Sequence, residues 1–338
     1  MEVPEGALDD AVTRSSFTGV ATVHVAGQRT FERVEGWRHR GYGVPMTVDT
    51  RIAVASGGKG FTALAVMRLV EDGTLALDQP VRTLLGDDLP LIDDHVTVEQ
   101  LLDHTSGIGD YLDEEGDWEP AAHVLPMPVH TLTSTEAFLP ALEGYPQKFE
   151  PGARFSYCNG SFMVLALLLE RATGEVYHDV VRRLVLSPAG MDRTDFLPLN
   201  ALPGDAATAY VHDEGDLTNT LHLPILGNGD GGVFTTADDV DLFWRAVLDG
   251  RIVSPASVDL MTTPRHDVPQ ERKRYGLGFW LHATGHAVIL EGYDAGASFR
   301  STHLVDSATT VTVLGNSSEG AWPVVGVLDD LIDAELSR

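Results

Sequence analysis

The sequence predicts an α+β fold: one antiparallel sheet assembled from both ends of the chain and flanked by helices, joined to a mostly helical middle region. Two observations predict it. Alternating apolar and polar positions over residues 17 to 36 return at 275 to 282, 286 to 292, 298 to 304 and 309 to 315, and helical periodicities fill the interval between. The expected division is a discontinuous sheet domain, 1–75 with 269–338, and a mostly helical domain, 76–268, with a cleft between them.

At the N-terminal end, Thr22 and His24 alternate with Ala21, Val23 and Val25, and Ala26-Gly27-Gln28 interrupts the pattern, which reads as a hairpin. From Gly60 to Val70 the apolar residues Phe61, Leu64, Ala65, Met67 and Val70 fall at helical spacing, with Gly73 as the stop. Ser56 therefore opens a helix that enters the core. The middle region carries helical patterns at 97 to 103, 134 to 143, 161 to 173, 176 to 185 and 236 to 249, and an amphipathic helix near 322 to 335 closes the chain. There is no internal repeat and no low-complexity linker.

A length of 338 residues with 43% hydrophobic content supports a large core. The longest apolar run, Phe162 to Leu169, falls far short of the ~18 to 20 residues of a spanning helix, so a soluble protein is expected. The acidic start Met-Glu-Val-Pro-Glu-Gly lacks the basic and apolar regions of a secretory signal, which points to the cytoplasm. A formal charge of -27 repels nucleic-acid phosphates and anionic membrane surfaces, so neither is an expected partner. Cys158 is the sole cysteine, which rules out an internal disulfide and a cysteine-rich zinc site; it reads as a small core residue. Oligomeric state leaves no signature.

Lysine is scarce: Lys59, Lys148 and Lys273 are all there are. Lys59 follows Ser56 in Ser56-Gly57-Gly58-Lys59, and positions i and i+3 share a helical face, so its amine can reach the hydroxyl. The helix N-terminus adds partial positive charge where an alkoxide would form. A serine hydroxyl needs such a neighbour, being a poor nucleophile at neutral pH. About 100 residues on, Tyr157-Cys158-Asn159 precedes the helix starting near Ser161. Singly, Ser56 reads as an N-cap, Lys59 as a solvated residue, and Tyr157 and Asn159 as turn residues. No G-x-S-x-G elbow offers another route to the same chemistry.

The order of these motifs resembles the serine hydrolases related to class C β-lactamases, which include β-lactamases, penicillin-binding D,D-peptidases, D-aminopeptidases and family VIII carboxylesterases. The blocks "DTRIAVASGGKGFTALAVMRLVEDGTLALDQPV", "VTVEQLLDHTSGIGDY", "PGARFSYCNGSFMVLALLLERATG" and "GDGGVFTTADDVDLFWRAVLDG" carry it in sequence, after the hairpin "FTGVATVHVAGQRTFERVEGW". The resemblance implies a β-lactamase/penicillin-binding-protein-like fold and an acyl-enzyme on Ser56. Lys59 and Tyr157 would act as a unit, with the base role open between them. Asn159 would orient Lys59 and donate to the substrate acyl side chain. The oxyanion hole would pair the Ser56 N–H with one from the late strand near 294 to 298. No cofactor or metal is implied. His104 reads as a loop histidine satisfied by backbone groups, with cleft lining as the alternative. The glycines at 229 to 232 read as a turn, His212, Asp213, Asp216 and His222 as surface loop, and Trp244, Trp280 and Trp322 as core or cleft wall.

One family feature is missing. A Lys or His, any residue, then Gly is expected on the strand lining the cleft, where this chain reads Leu290-Glu291-Gly292-Tyr293-Asp294-Ala295-Gly296. Glu291, Gly292, Asp294 and Gly296 become the candidate substrate-binding residues there. In β-lactamases and D,D-peptidases the cation helps hold a substrate carboxylate. A carboxylate of Glu291 or Asp294 facing the cleft would instead repel it by ~1 to 4 kcal/mol at ~4 Å. The expected activity is hydrolysis of small esters or amides that lack a free carboxylate, with substrates presenting an amine also favoured. β-Lactamase or peptidase activity, acyl transfer, and a non-catalytic binding role are the alternatives.

Overall fold

Helix α1 (Asp9–Ser15) leads into the expected hairpin, β1 (Gly19–Val25) and β2 (Gln28–Glu35). The computed structural model describes residues 1–115, 119 and 121–337. A small ribbon, β3 (Trp37–His39) with β4 (Val44–Pro45), and the two-residue β5 (Ile52–Ala53) follow before the long helix α2 (Lys59–Glu71). The middle of the chain is helical: α3 (Arg82–Leu85), α4 (Val98–Leu102), α5 (Leu139–Leu142), α6 (Asn159–Thr173), α7 (Tyr177–Val181) and α8 (Ser187–Ala189). Strands β6 (Asp195–Phe196) and β7 (Val233–Thr235) then precede α9 (Ala237–Leu248) and α10 (Pro255–Thr262). The remaining strands are β8 (His266–Val268), β9 (Lys273–Tyr275), β10 (Trp280–His282), β11 (Ala287–Asp294), β12 (Ala297–Leu304) and β13 (Thr309–Gly315), with α11 (Trp322–Leu336) last.

Eight strands form one antiparallel sheet in the order β2-β1-β13-β12-β11-β10-β9-β8, so the first hairpin joins the last. The seam is the β1–β13 register, Val23 opposite Val311 and Gly19 opposite Gly315. On one face Ala21, Val23, Val311 and Val313 pack beneath Val324, Leu328 and Ile332 of α11. On the other, Phe279, Leu281, Val288 and Leu290 meet α2, α6 and α9 in the main core. Helix α6 is buried along its whole first half because Phe162 to Leu169 is apolar all round, as befits a helix covered on every side.

Local chemistry sets the helix boundaries. Thr97 and Gln100 close a capping box on α4, and Thr236 caps α9 by accepting from the Asp239 amide. Ser254 and Pro255 begin α10, which periodicity alone does not single out. The alternating stretch 275 to 282 is two strands rather than one, because Gly278 adopts φ +78° in the turn that reverses the chain. The sheet also starts at His266, slightly before the expected boundary at 269. Strands β5, β7 and β6 form a second small sheet, so residues from the middle region pair with the N-terminal segment behind Ser56.

Candidate active site

The site is built first on a strained turn. Ala55 holds φ +44°, a left-handed value a residue with a Cβ adopts at some cost, and the chain then runs through a 3-10 turn, Ala55–Gly58, into α2. Two neighbours secure it: the Val54 amide donates to Val233 O at 2.9 Å, and β11 presses on it at Gly292. A Cβ on Gly292 would stand 2.0 Å from Val54 O and 2.9 Å from the Ser56 amide, so only glycine lets the strand come this near. The approach falls just ahead of residues 294 to 298, where the second oxyanion donor is expected.

Lys59, 3% exposed, is enclosed by acceptors. Its Nζ lies 2.9 Å from Ser56 Oγ, 2.7 Å from Asn159 Oδ1 and 2.8 Å from Asp230 O. Desolvation lowers its pKa, and the nearby Asp230, Glu114, Asp110 and Asp294 carboxylates oppose that shift without cancelling it. The Tyr157 phenol lies close enough to the Ser56 hydroxyl to feel it, and Lys59 Nζ stands 5.0 Å from the Tyr157 ring centroid. Loss of water, then the Glu114 and Tyr275 charges, pushes this phenol well above its ordinary value despite the Ser56 hydroxyl. Trp280 stacks on the ring at 5.9 Å, so this tryptophan is cleft wall, whereas Trp244 is buried in the core.

The segment 104 to 110 positions Tyr157 and Asn159. Buried His104, itself at φ +59°, accepts from the Cys158 amide at Nδ1 (3.1 Å), which leaves Nε2 as the donor to the Tyr275 hydroxyl (3.1 Å). Its ring also lies 4.4 Å from that of Tyr157. Asp110 accepts from the Asn159 and Gly160 amides at 2.6 and 2.9 Å and so caps α6 from a separate loop. Burial nevertheless raises the Asp110 pKa to about 6, those amide bonds pulling the other way. Asn159 spends its amide nitrogen on Leu112 O and Glu114 Oε1.

On β11 the four sequence candidates separate. Glu291 does not put a free charge into the cleft: Lys273 donates to it at 2.5 Å and Arg300 pairs with its other oxygen. Gly296 is occupied in the β11–β12 turn at φ +80°, its amide donating to Ser318 Oγ. Gly292 abuts the Ser56 turn. Asp294 lines the cavity beside Ser56, and desolvation pushes it up to about 7 against the Ala295 amide bond that favours its ionised form. Leu290 of the same strand packs into the main core against Gly60 of α2.

Ser56 borders three spaces. An open groove of ≈ 490 Å³ runs past Tyr157, Phe155, Trp280 and Glu115, a narrower cavity of ≈ 70 Å³ extends between Tyr111, Leu125, Leu199, Phe234 and Asp294, and a pit of ≈ 10 Å³ reaches Lys59 and Tyr275. Glu114, Tyr111, Asp230 and His222 line that cavity and were not candidates from sequence. The 229 to 232 segment is indeed a turn, yet its Asp230 carbonyl holds Lys59 and its carboxylate accepts from Tyr111. His222, in the loop that follows the exposed Leu221, also borders the cavity. Among the described residues no three His, Cys, Asp or Glu side chains are grouped as a metal would require, and no helix is long and apolar enough to cross a membrane.

The family profile described as Beta-lactamase matches residues 5–331. A penicillin-binding protein structure from Bacillus halodurans superposes with a TM-score of 0.88 at 31% identity, covering 96% of this chain and 99% of that one. The D-aminopeptidase of Brucella anthropi is 27% identical over 95% of this chain and 61% of its own length; Esterase EstB of Burkholderia gladioli is 34% identical over 62% and 54%. The chain thus spans less than two thirds of the latter two relatives. With a serine, a lysine and a tyrosine gathered on this fold, the chain belongs to the β-lactamase family of serine hydrolases.

Proposed function

We propose that the protein hydrolyses small esters or amides without a free carboxylate, through an acyl-enzyme on Ser56. The observation that carries this reading is the position of Lys59 Nζ, desolvated and 2.9 Å from Ser56 Oγ. With Nζ neutral, two of its hydrogens serve Asn159 Oδ1 and Asp230 O, and its lone pair faces the serine proton. The Ser56 proton passes to that amine, directly or through the Tyr157 hydroxyl, as Oγ bonds to the substrate carbonyl carbon. The Ser56 amide and an amide of the adjoining β11 segment hold the oxyanion. The proton then goes to the departing alkoxide or amine. Water repeats the sequence on the acyl-enzyme, giving up a proton to the same pair and releasing the acid while Ser56 recovers its hydrogen.

The substrate preference follows from charge. No Lys or His stands on β11, and Asp294 and Glu114 line the cavity beside Ser56, so a carboxylate-bearing β-lactam or peptide terminus meets repulsion. Esterase EstB and the D-aminopeptidase show that relatives of this chain bear names for both ester and amide chemistry.

Incubation with a fluorophosphonate and with p-nitrophenyl acetate tests the proposal. One adduct per chain, located on Ser56, with turnover abolished in Ser56→Ala, is the expected result; no adduct and no turnover refute it. Rapid opening of nitrocefin would overturn the substrate preference while leaving the nucleophile in place.

A further inference from the structure

We infer that Lys273 is a positioning residue of the active site: from β9 it pairs with Glu291 of β11, across β10, and so holds the Trp280 indole against the Tyr157 ring. This role rests on the hydrolase reading above, which leaves Lys273 unused.

Strand order brings the three residues together. β9, β10 and β11 lie side by side with β10 in the middle. Lys273 stands on one flank and Glu291 on the other, and Lys273 Nζ donates to the Glu291 carboxylate at 2.5 Å. The ion pair therefore crosses the strand that carries Trp280. The ammonium lies 4.9 Å from the Trp280 ring centroid, within cation–π reach. The same indole stacks on Tyr157 at 5.9 Å with 14° between the ring planes, and Tyr275 meets it edge-on at 4.8 Å. Trp280 thus touches the lysine and also the phenol that stands beside Ser56.

The backbone by itself holds this tryptophan loosely. β10 is three residues long and meets β11 through two residue pairs, Trp280 with Ile289 and Leu281 with Val288. It follows closely on the Gly278 turn at φ +78°. A strand this short needs a side-chain anchor to fix the tilt of a large ring.

The anchor is itself fixed. Lys273 is 7% exposed, and Glu291 also pairs with Arg300 of β12, which reaches Asp329 of α11 at 3.0 Å. Glu271 adds a weaker partner 3.7 Å from Nζ. A buried ion pair adds little net stability over apolar residues of the same volume, so its contribution here is geometric. The charges that act most on Lys59 are Asp230, Glu114, Asp110 and Asp294. Lys273 accordingly works through the indole and not through the proton equilibrium of that amine.

A double-mutant cycle on p-nitrophenyl acetate hydrolysis decides it, with the rate of fluorophosphonate labelling at Ser56 as a second readout. Lys273→Met, similar in length but without the charge, should lower kcat/KM at least about tenfold. Lys273→Arg, which keeps the ion pair and a cation on the indole, should stay within about threefold of wild type. Trp280→Leu should fall at least as far as Lys273→Met. The two combined should fall no further than Trp280→Leu alone, because a residue acting through the indole then has nothing left to hold. Losses that multiply, an Arg variant as impaired as the Met variant, or an unimpaired Lys273→Met overturn the inference. Should Lys273→Met fail to fold, Lys273→Met with Glu291→Gln removes the pair without stranding a charge and is read in the same way. Wild-type turnover or labelling upholds the hydrolase whatever these variants do; with neither, both readings fall.

Discussion

Lys59 donates to Asn159 Oδ1 at 2.7 Å, and this bond fixes which way the amide faces: its nitrogen must point to Leu112 O and Glu114. One asparagine therefore links the lysine to the carboxylate of the cavity. Asn159→Ala leaves the buried Nζ without one acceptor, a loss of about 1–3 kcal/mol. We expect kcat/KM on p-nitrophenyl acetate to fall roughly 10- to 100-fold, with a parallel fall in the fluorophosphonate labelling rate. Native-like thermal melting alongside these losses separates the effect from misfolding.

Gly292→Ala tests the contact between β11 and the nucleophile turn. The added Cβ meets the Val54 carbonyl and the Ser56 amide, both backbone atoms that cannot swing aside. Overpacking of this kind costs about 1–3 kcal/mol and shifts the strand relative to the turn. The expected outcome is a lower melting temperature and activity near background. Wild-type labelling of Ser56 in this variant would show that the close approach has no bearing on the reaction.

His104 shows where sequence reading reached its limit. Its flanking block marked a family segment, but the contacts that explain it, the Cys158 amide and the Tyr275 hydroxyl, come from residues 54 and 171 positions away. Local periodicity carries no trace of such pairings. The same holds for Asp110, Glu114 and Asp230, whose proximity to Lys59 arises only from the fold. What was legible was local or ordered: the hairpin, α2, α6, the four late apolar segments and the Ser56, Lys59, Tyr157, Asn159 set. Glu291 misled in the opposite direction, because its cationic partners are set by strand pairing: Arg300 faces it across the β11–β12 hairpin and Lys273 reaches it from β9, two strands away.

As a positioning residue, His104 predicts a split between kinetic constants. His104→Ala removes the pin on the Tyr157-Cys158-Asn159 segment without touching the cavity, so kcat should drop at least about tenfold while KM moves little. The pH–rate profile should keep its shape, since the imidazole, whose pKa burial pushes well down, stays neutral and transfers no proton. A changed profile would instead make His104 a participant in proton transfer.

Asp294 makes stability depend on pH. Its folded value of about 7 exceeds the ordinary 3.8, so the folded state prefers the neutral acid, and ionisation costs stability as pH rises between those values. Below about pH 4 the acid is neutral in both states and contributes no penalty. Asp294→Asn should therefore raise the melting temperature at pH 8 and give a gain that shrinks toward zero at pH 4. A gain independent of pH would assign the effect to packing.

The base is decided by comparing Tyr157→Phe with Lys59→Met. A tyrosinate must first lose a proton that burial and the Glu114 charge hold tightly, and every unit of raised pKa costs tenfold in the reactive fraction at neutral pH. Lys59 shifts the other way, down from 10.5, so its neutral form is the more accessible of the two. With lysine as base, kcat/KM rises with pH to a plateau whose midpoint lies below the ordinary lysine value. Tyr157→Phe then lowers that plateau and retains the rise, because the phenol only relays the proton and steadies Oγ. Lys59→Met, matched in length but without the amine, removes the rise and nearly all turnover. The reverse pattern, Tyr157→Phe as inactive as Ser56→Ala with Lys59→Met partly active, would make the phenolate the base and reduce the lysine to its electrostatic support.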